Sequence, residues 1–253
     1  MGATAKAFTL PVGLLVLWQV AMALTGTQSD TLAAPAAILV ALYAALADGS
    51  LIVATGQTLA AGGMGLALGA GLGMISGIVF GLLPPVSRLI GLTVEILRPI
   101  PSIAIVPIAI LIFGFGYSLE VVIVAFACFF PVLLLTEAAI RQITPRLLEV
   151  ALVLRLSGPQ QVCKIVLPAA LPRLFVALRL AAGIALIVAV TVEIVANPIG
   201  LGFRLMQAGQ SLRPADMFAT LAWVGFLGWL LNWALAKTEH ALFPAHALKG
   251  ATE

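Results

Sequence analysis

Long apolar runs separated by short polar segments fill most of the chain. A window of about 20 residues, the length that crosses roughly 30 Å of hydrocarbon, fits six of these runs. The runs are continuously apolar, whereas barrel strands alternate over about ten residues, so the pattern predicts transmembrane helices. The second run exceeds an upright span, and both a tilted helix and one that projects from the membrane remain open. The predicted spans are residues 8–26, 56–83, 92–113, 119–137, 174–196 and 217–236.

Composition supports a membrane protein. Of the 253 residues, 62% are hydrophobic and 9% are charged, and the mean hydropathy is +1.17. Soluble domains carry roughly a quarter charged residues, and a globule with so few could not cover its surface. The chain is therefore predicted to be an all-α polytopic membrane protein, which excludes a soluble enzyme and a nucleic-acid-binding protein. Cys128 lies in an apolar run and Cys163 in a basic loop, which excludes a disulfide framework.

The basic residues are distributed unevenly about the predicted spans. The first run is interpreted as a retained helix rather than a signal peptide, with the N-terminus in the cytoplasm. Eleven of the 13 basic residues, Arg98 among them, then lie on the cytoplasmic side, and only Arg204 and Arg213 lie outside. The positive-inside rule therefore predicts that both termini are cytoplasmic. The acidic residues placed at the outer face are Asp30, Asp48, Glu120 and Asp216.

Five glycines recur every four residues in the second predicted span, in the register of Ala61. This spacing puts them on one face of a helix, where two backbones can approach closely in lipid. The pattern favours a packing seam within the subunit or dimer, and a glycine-lined permeation path is the alternative. The glycines are Gly65, Gly69, Gly73, Gly77 and Gly81.

The third predicted span contains Pro99, Pro101 and Pro107, with Ser102 after the second proline. Each proline removes an amide donor and clashes with the preceding turn, so a straight helix is not expected. Broken backbone at membrane depth is tolerated where it is buried in protein or lines an aqueous cavity. The segment is interpreted either as a hinge or wall of a translocation path, or as a structural kink.

Few ionisable residues lie near the predicted spans. Glu193 follows the apolar run 180–192, as an ion or proton site would. A helix that begins near Leu174 would carry Glu193 roughly 28 Å, however, so an interfacial carboxylate is favoured. Glu193 is retained as a candidate for lining or gating a path. Glu95 and Arg98, three residues apart on a helix, are predicted to pair.

The longest polar stretch runs from Glu137 to about Leu174, between the fourth and fifth predicted spans. Apolar residues recur there at helical spacing on both sides of a break at residues 156–159. Ser157 is a candidate N-cap, and Pro159 suits a first helical turn. The stretch predicts two short cytoplasmic helices joined by a turn, and an amphipathic hairpin on the lipid headgroups is the alternative.

The motifs in this stretch resemble a known family. Glu149-Val-Ala151, Ser157-Gly158 and Ile165-Val-Leu167-Pro168 are similar to the EAA loop of binding-protein-dependent ABC transporter permeases, the type I importers. In that family a proline follows the glutamate by nineteen residues, as Pro168 follows Glu149 here. Arg98-Pro-Ile-Pro101 and the segment 193–202 extend the resemblance to the branch that takes up taurine, alkanesulfonates, nitrate or thiamine precursors. It covers roughly residues 50–240.

The resemblance implies a permease subunit of the inner cell membrane that forms the translocation path for a small solute, as one half of a homodimer. Its partners would be membrane lipid, an external substrate-binding protein and cytoplasmic ABC ATPase subunits, which bind the ATP and Mg. The loop would dock in the ATPase as a coupling helix, and this chain would hold no cofactor and no metal. Residues 51–237 would form the permease domain, after a first helix and outer loop in 1–50 and before a tail in 238–253. The residues assigned to coupling are Glu149, Ala151, Leu154, Arg155, Ser157, Gly158 and Pro168.

The loop departs from the family pattern at two positions. Val150 replaces the middle alanine, which is conservative. Arg155 stands where the family has its turn glycine, and Gly158, three residues later, is predicted to host the turn instead.

The sequence argues against catalysis by this chain. No lysine follows a glycine, so a phosphate-binding Gly-x-x-x-x-Gly-Lys-Ser/Thr loop is absent and ATP hydrolysis is assigned to the partner. An intramembrane enzyme would need a nucleophile and base, or metal ligands, at membrane depth, yet both histidines fall in the tail. An ion- or proton-coupled secondary transporter is the alternative function. It is expected to show midplane charges or two similar halves, and the sequence indicates neither.

Overall fold

The computed structural model describes residues 2–25 and 31–243, and every regular element within those residues is helical. A 3₁₀ turn, Ser102–Ile105, precedes α5, and a π-helical stretch, Val162–Val166, joins α8 to α9. The all-α prediction is confirmed. The α-helices are α1 Gly2–Thr25, α2 Pro35–Ala47, α3 Ser50–Leu82, α4 Pro84–Leu97, α5 Val106–Phe113, α6 Tyr117–Arg141, α7 Pro145–Val153, α8 Gly158–Gln161, α9 Leu167–Val195, α10 Gly200–Gln210 and α11 Pro214–Leu242.

Helices α3, α6 and α9 pack together as the centre of the bundle. Their shared core is built mainly from small side chains, which let helices approach closely where lipid removes the hydrophobic drive for association. The Cys128 thiol lies in this core and contacts the Ala181 carbonyl oxygen at 3.4 Å. The buried members of the cluster are Ala70, Val124, Cys128, Val132, Ala181, Ala185 and Ala189.

The five periodic glycines of α3 all face α6. A Cβ on Gly65 would come within 2.6 Å of the Val124 Cβ, and one on Gly77 within 2.6 Å of the Leu133 carbonyl oxygen. At Gly69 an added Cβ would collide with the Ala125 backbone. The two backbones are therefore so close that only glycine fits, and α6 covers the glycine face within the same subunit.

Helices α4 and α5 form one broken span with a bend of 81° between them. Pro99 and Pro101 lie in the break. Pro107 lies in the first turn of α5, where a backbone amide would have no intrahelical acceptor, so its absence costs no hydrogen bond. Three ion pairs form among the described residues, and none joins Glu95 to Arg98. The predicted pair is therefore absent, although Arg98 keeps helical backbone angles as the C-cap of α4.

Within the part of the chain that the structure describes, four helices are long and apolar enough to cross a membrane, and the bent pair makes a fifth candidate span. The four are α3, α6, the continuous helix Gly158–Val195 and α11. The first predicted span lies in α1, whose apolar stretch Gly13–Leu24 is shorter, so the count of six stays a prediction. The predicted outer loop within residues 1–50 contains the helix α2, and α10 lies between the last two long helices.

Candidate functional site

Helix α7 ends in a turn centred on Arg155. The Leu156 amide donates to the Ala151 carbonyl oxygen at 3.0 Å, which is the closing bond of a Schellman motif. Arg155 takes the position after the cap and has a left-handed φ of 47°. Glycine usually fills this position because other residues pay about 1–2 kcal/mol there. The turn therefore stays at residue 155, and the prediction that it moves to Gly158 is wrong.

Ser157 and Gly158 start the next helix. The Ser157 amide donates to the Gln160 Oε1 at 3.0 Å, one half of a capping box, and Pro159 lies in the first turn of α8. The helix then continues through the π-helical stretch into α9, where Pro168 again lies in a first turn.

The second predicted short helix is therefore not separate, and that prediction is wrong. It is the first part of the continuous helix Gly158–Val195. Val166, Ala170 and Leu174 are buried against Ala139 and Ile140 of α6, so the helix has a packing partner on that side and does not need to end.

The exposed face of α7 is apolar. Ala151 is 1% exposed, while Glu149 and Arg155 lie at the surface. Large apolar side chains beside them are left uncovered, which is typical of an interaction surface. They are Leu147 at 40%, Val150 at 48%, Val153 at 82% and Leu154 at 61% exposed.

Two carboxylates meet at the opposite end of the bundle. Glu120 and Glu193 are each 0% exposed and lie side by side where α6 begins and α9 ends. The Asn197 side-chain amide donates to Glu120 at 2.9 Å, and its oxygen accepts the Gly116 amide at 2.7 Å. The Oε1 oxygens of both glutamates have no donor among the described residues.

The expectation of an interfacial Glu193, and of Glu120 at the outer face, is therefore corrected. Glu193 does lie at the far end of α9, but the beginning of α10 folds over it and removes it from solvent.

Glu193 also caps α10. Its Oε2 accepts the Gly202 amide at 2.7 Å, while Gln57 accepts from Gly200 at 3.0 Å and Thr58 from Leu201 at 2.9 Å. The first amides of a helix have no intrahelical acceptor, and the positive end of the dipole favours a carboxylate. Together, these polar side chains, which we call the carboxylate cluster, join four helices. Its members are Gln57, Thr58, Glu120, Glu193 and Asn197.

The bend between α4 and α5 opens a cleft of about 490 Å³ against α6 and α9. Arg98 and Ser102 line it, together with Phe126 and Leu134 of α6. At 1.5 Å per residue, Phe126 lies about 14 Å from the beginning of α6 and Leu134 about 10 Å from its end. Arg98, an exposed residue directly after α4, therefore lines this cleft together with residues from the middle and the second half of α6.

Sequence reasoning found Glu193 and the bend but missed Glu120, Asn197, Gln57 and Thr58. Their contacts join residues 77 and 143 positions apart, so sequence spacing carried no signal for them. Among the described residues, no three His, Cys, Asp or Glu side chains gather in a way that could hold a metal ion.

A small-residue helical bundle with one broken span and an exposed helix between two spans defines a membrane transport subunit. The chain belongs to the family described as binding-protein-dependent transport system inner membrane component, which matches residues 69–236. The resemblance found in the loop motifs is thereby confirmed. The secondary-transporter alternative is not favoured.

Two relatives and one solved structure support this assignment. The putative aliphatic sulfonates transport permease protein SsuC of Bacillus subtilis (strain 168) is 32% identical over 94% of this chain and 86% of its own length. The taurine transport system permease protein TauC of Escherichia coli (strain K12) is 29% identical over 69% and 63%. A chain of the MetNI methionine ABC transporter in an inward-facing conformation has the same fold, with a TM-score of 0.64 and 21% identity, covering 76% of this chain and 93% of that one.

Proposed function

We propose that this chain forms the translocation path of an ATP-driven importer for a small sulfonate. An external binding protein delivers the solute, and two copies of the chain enclose the path. The family supports the importer class, and aliphatic sulfonates and taurine are the solutes in the names of the two relatives. The proposed orientation puts α7 and both termini in the cytoplasm of a cell with the chain in its inner membrane.

The observation that carries the proposal is the uncovered apolar face of α7. Val153 is 82% exposed on a helix that buries Ala151. A short helix with exposed apolar side chains flanked by Glu149 and Arg155 has what a docking element needs, since apolar area supplies affinity and charges set orientation. We assign it to the groove of a cytoplasmic ATPase subunit, which binds the ATP and Mg.

The connection to the spans supports a coupling role. α7 is followed within a few residues by the continuous helix Gly158–Val195, so a movement of α7 reaches the bundle through one rigid element. The turn between them is closed by the Schellman bond from Leu156 to Ala151, which holds α7 at a defined angle. ATPase closure would thus tilt a whole span rather than deform a loop.

Reconstitution tests the proposal. The chain, the ATPase subunit and the binding protein are placed in vesicles, and ATP hydrolysis is measured with and without taurine or butanesulfonate. We expect hydrolysis to rise with solute plus binding protein in the parent protein and in the control Val153→Leu. Both Val153→Asp and Val153→Lys are expected to abolish the rise, because either charge is incompatible with an apolar groove.

The two charge signs separate docking from lipid binding. A helix that lies on anionic headgroups would tolerate Val153→Lys and lose function only with Val153→Asp. That result, or a failure of solute to stimulate hydrolysis in the parent complex, would contradict the coupling assignment.

A further inference from the structure

We infer that the cleft at the α4–α5 bend is a solute-binding site within the translocation path, and that Arg98 receives the anionic head of an alkanesulfonate-like solute. The inference rests on the import function proposed above. It adds the position of the site in the fold and the residues that select the solute.

Arg98 carries a charge that this subunit does not neutralise. It lines the cleft with its side chain exposed, and among the described residues its guanidinium has no hydrogen bond or ion pair. Arginine stays charged in proteins, and a charged side chain at membrane depth faces a water-filled cavity or a counter-charge rather than lipid. Since Glu95 does not pair with it, the counter-charge is assigned to a bound anion.

The backbone beside Arg98 gives the same indication independently. The segment between Leu97 and Ser102 is not helical, and its two prolines have no amide to donate. Irregular backbone at membrane depth is tolerated only inside protein or along an aqueous cavity, and Pro99 and Pro101 are both exposed. The inference places this segment along the aqueous path, where a solute that crosses the membrane can reach it.

The opposite wall of the cleft is apolar. Phe126 and Phe130, which pack edge to face with ring centroids 5.2 Å apart, line it from α6, and Leu180 and Ile184 line it from α9. One cation, the Ser102 hydroxyl and an apolar wall suit a ligand with one anionic head and an apolar body. The volume of about 490 Å³ lies within the range of small-molecule sites, roughly 300–1,000 Å³.

Cysteine labelling in membrane vesicles tests the site without any transport measurement. Ser102→Cys is made in the full chain with Cys163→Ser, because Cys163 is exposed while Cys128 is buried. The anionic reagent 2-sulfonatoethyl methanethiosulfonate is compared with its cationic trimethylammonioethyl counterpart. We expect the anionic reagent to react at least about tenfold faster, since a cleft of one charge sign concentrates its counter-ion.

Three variants make the labelling specific. Arg98→Gln should bring the ratio of the two rates close to one, and Arg98→Lys should keep the preference for the anion. Leu72→Cys is the control for a lipid-facing position at the same depth, because Leu72 is 51% exposed and its neighbour Gly73 packs on Phe129. That thiol should react with neither charged reagent. Size-exclusion profiles of each variant show that the comparison is made on folded protein.

Protection by solute completes the test. Butanesulfonate should slow labelling of Ser102→Cys, whereas butan-1-ol and butylammonium at the same concentration should not. The inference is overturned if Ser102→Cys is unreactive, if the rates ignore Arg98, or if the alcohol protects as well as the sulfonate. These readouts do not involve the ATPase, so a failure of the vesicle assay with intact anion selectivity would reject the importer proposal and leave the site standing.

Discussion

The two ends of the bundle are built in opposite ways. At one end the carboxylate cluster buries Thr58, Glu120 and Glu193 at 0% exposure and Asn197 at 1%, and its hydrogen bonds join α3, α6, α9 and α10. At the other end α7 buries Ala151 but leaves Leu147, Val150 and Val153 exposed.

One end of the bundle is therefore held rigid, whereas the other keeps a surface free to bind another molecule. Buried polar groups stabilise one arrangement strongly because any rearrangement leaves a donor or acceptor without a partner. A segment with few buried contacts opens locally at little cost and keeps its surface for another molecule. Substitutions at the carboxylate cluster should therefore change folding stability, and substitutions on α7 should change assembly.

The largest effect is expected at Gly200. Its φ is 86°, and an added Cβ would collide with the Glu193 carboxyl group. Gly200→Ala should lower the free energy of unfolding by about 3 kcal/mol, from left-handed strain plus overpacking. Gly158→Ala is the matched control, because that glycine has open space and an ordinary φ. Equal melting temperatures of the two purified variants in detergent would contradict the contrast between the ends.

A smaller loss is expected at Asn197. Asn197→Ala removes both the donor to Glu120 and the acceptor of the Gly116 amide, so two buried groups lose their partner. The loss should be about 2 kcal/mol. Gln210→Ala, at an exposed amide of α10, should leave the thermal transition unchanged. If both variants melt alike, the cluster does not stabilise its end of the bundle.

A gain in stability is expected at Arg155. Arg155→Gly removes left-handed strain and should raise stability by about 0.5–1 kcal/mol, because glycine adopts this φ freely but loses more chain entropy. Arg155→Ala keeps the strain and removes the guanidinium. Amide hydrogen exchange of α7 is the local measure, and slower exchange in the glycine variant alone is the expected result. Slower exchange in both would point to the charge instead.

The smallest effect on stability is expected at Glu149. Because its side chain is exposed, Glu149→Arg should change the free energy of unfolding by less than about 0.5 kcal/mol. Co-purification with the ATPase subunit should nevertheless be lost, since the charge that orients the docked helix is reversed. A variant that still assembles would remove α7 from the coupling interface, and one that melts much earlier would show that the two ends are not separable.

Local patterns predicted the parts of the fold that depend on local physics. The four-residue glycine period placed one face of α3, and α6 packs on that face. The Ser157-Gly158-Pro159 signal located the beginning of α8, and the prolines located the bend. The loop motifs identified the family because they lie within one short stretch of sequence, where their spacing can be read directly.

The missed parts depend on contacts between distant segments. The beginning of α10 is stabilised by Gln57 and Thr58, which lie 143 residues before their partners. At residue 155, the usual preference of such a turn for glycine led to the prediction of a displaced turn. In the structure, the hydrogen bond from the Leu156 amide to the Ala151 carbonyl oxygen stabilises the left-handed conformation of Arg155.

The length of the continuous helix Gly158–Val195 also determines how far its far end moves when the helix tilts. Its 38 residues measure about 57 Å at 1.5 Å per residue. A swing of only about 10° at the α7 end would sweep the opposite tip through about 10 Å, one helix diameter. The carboxylate cluster ties that tip to α3, α6 and α10, so this whole end of the bundle would have to turn with the helix. Helix length would thus set how far one end of the subunit moves for a given tilt at the other.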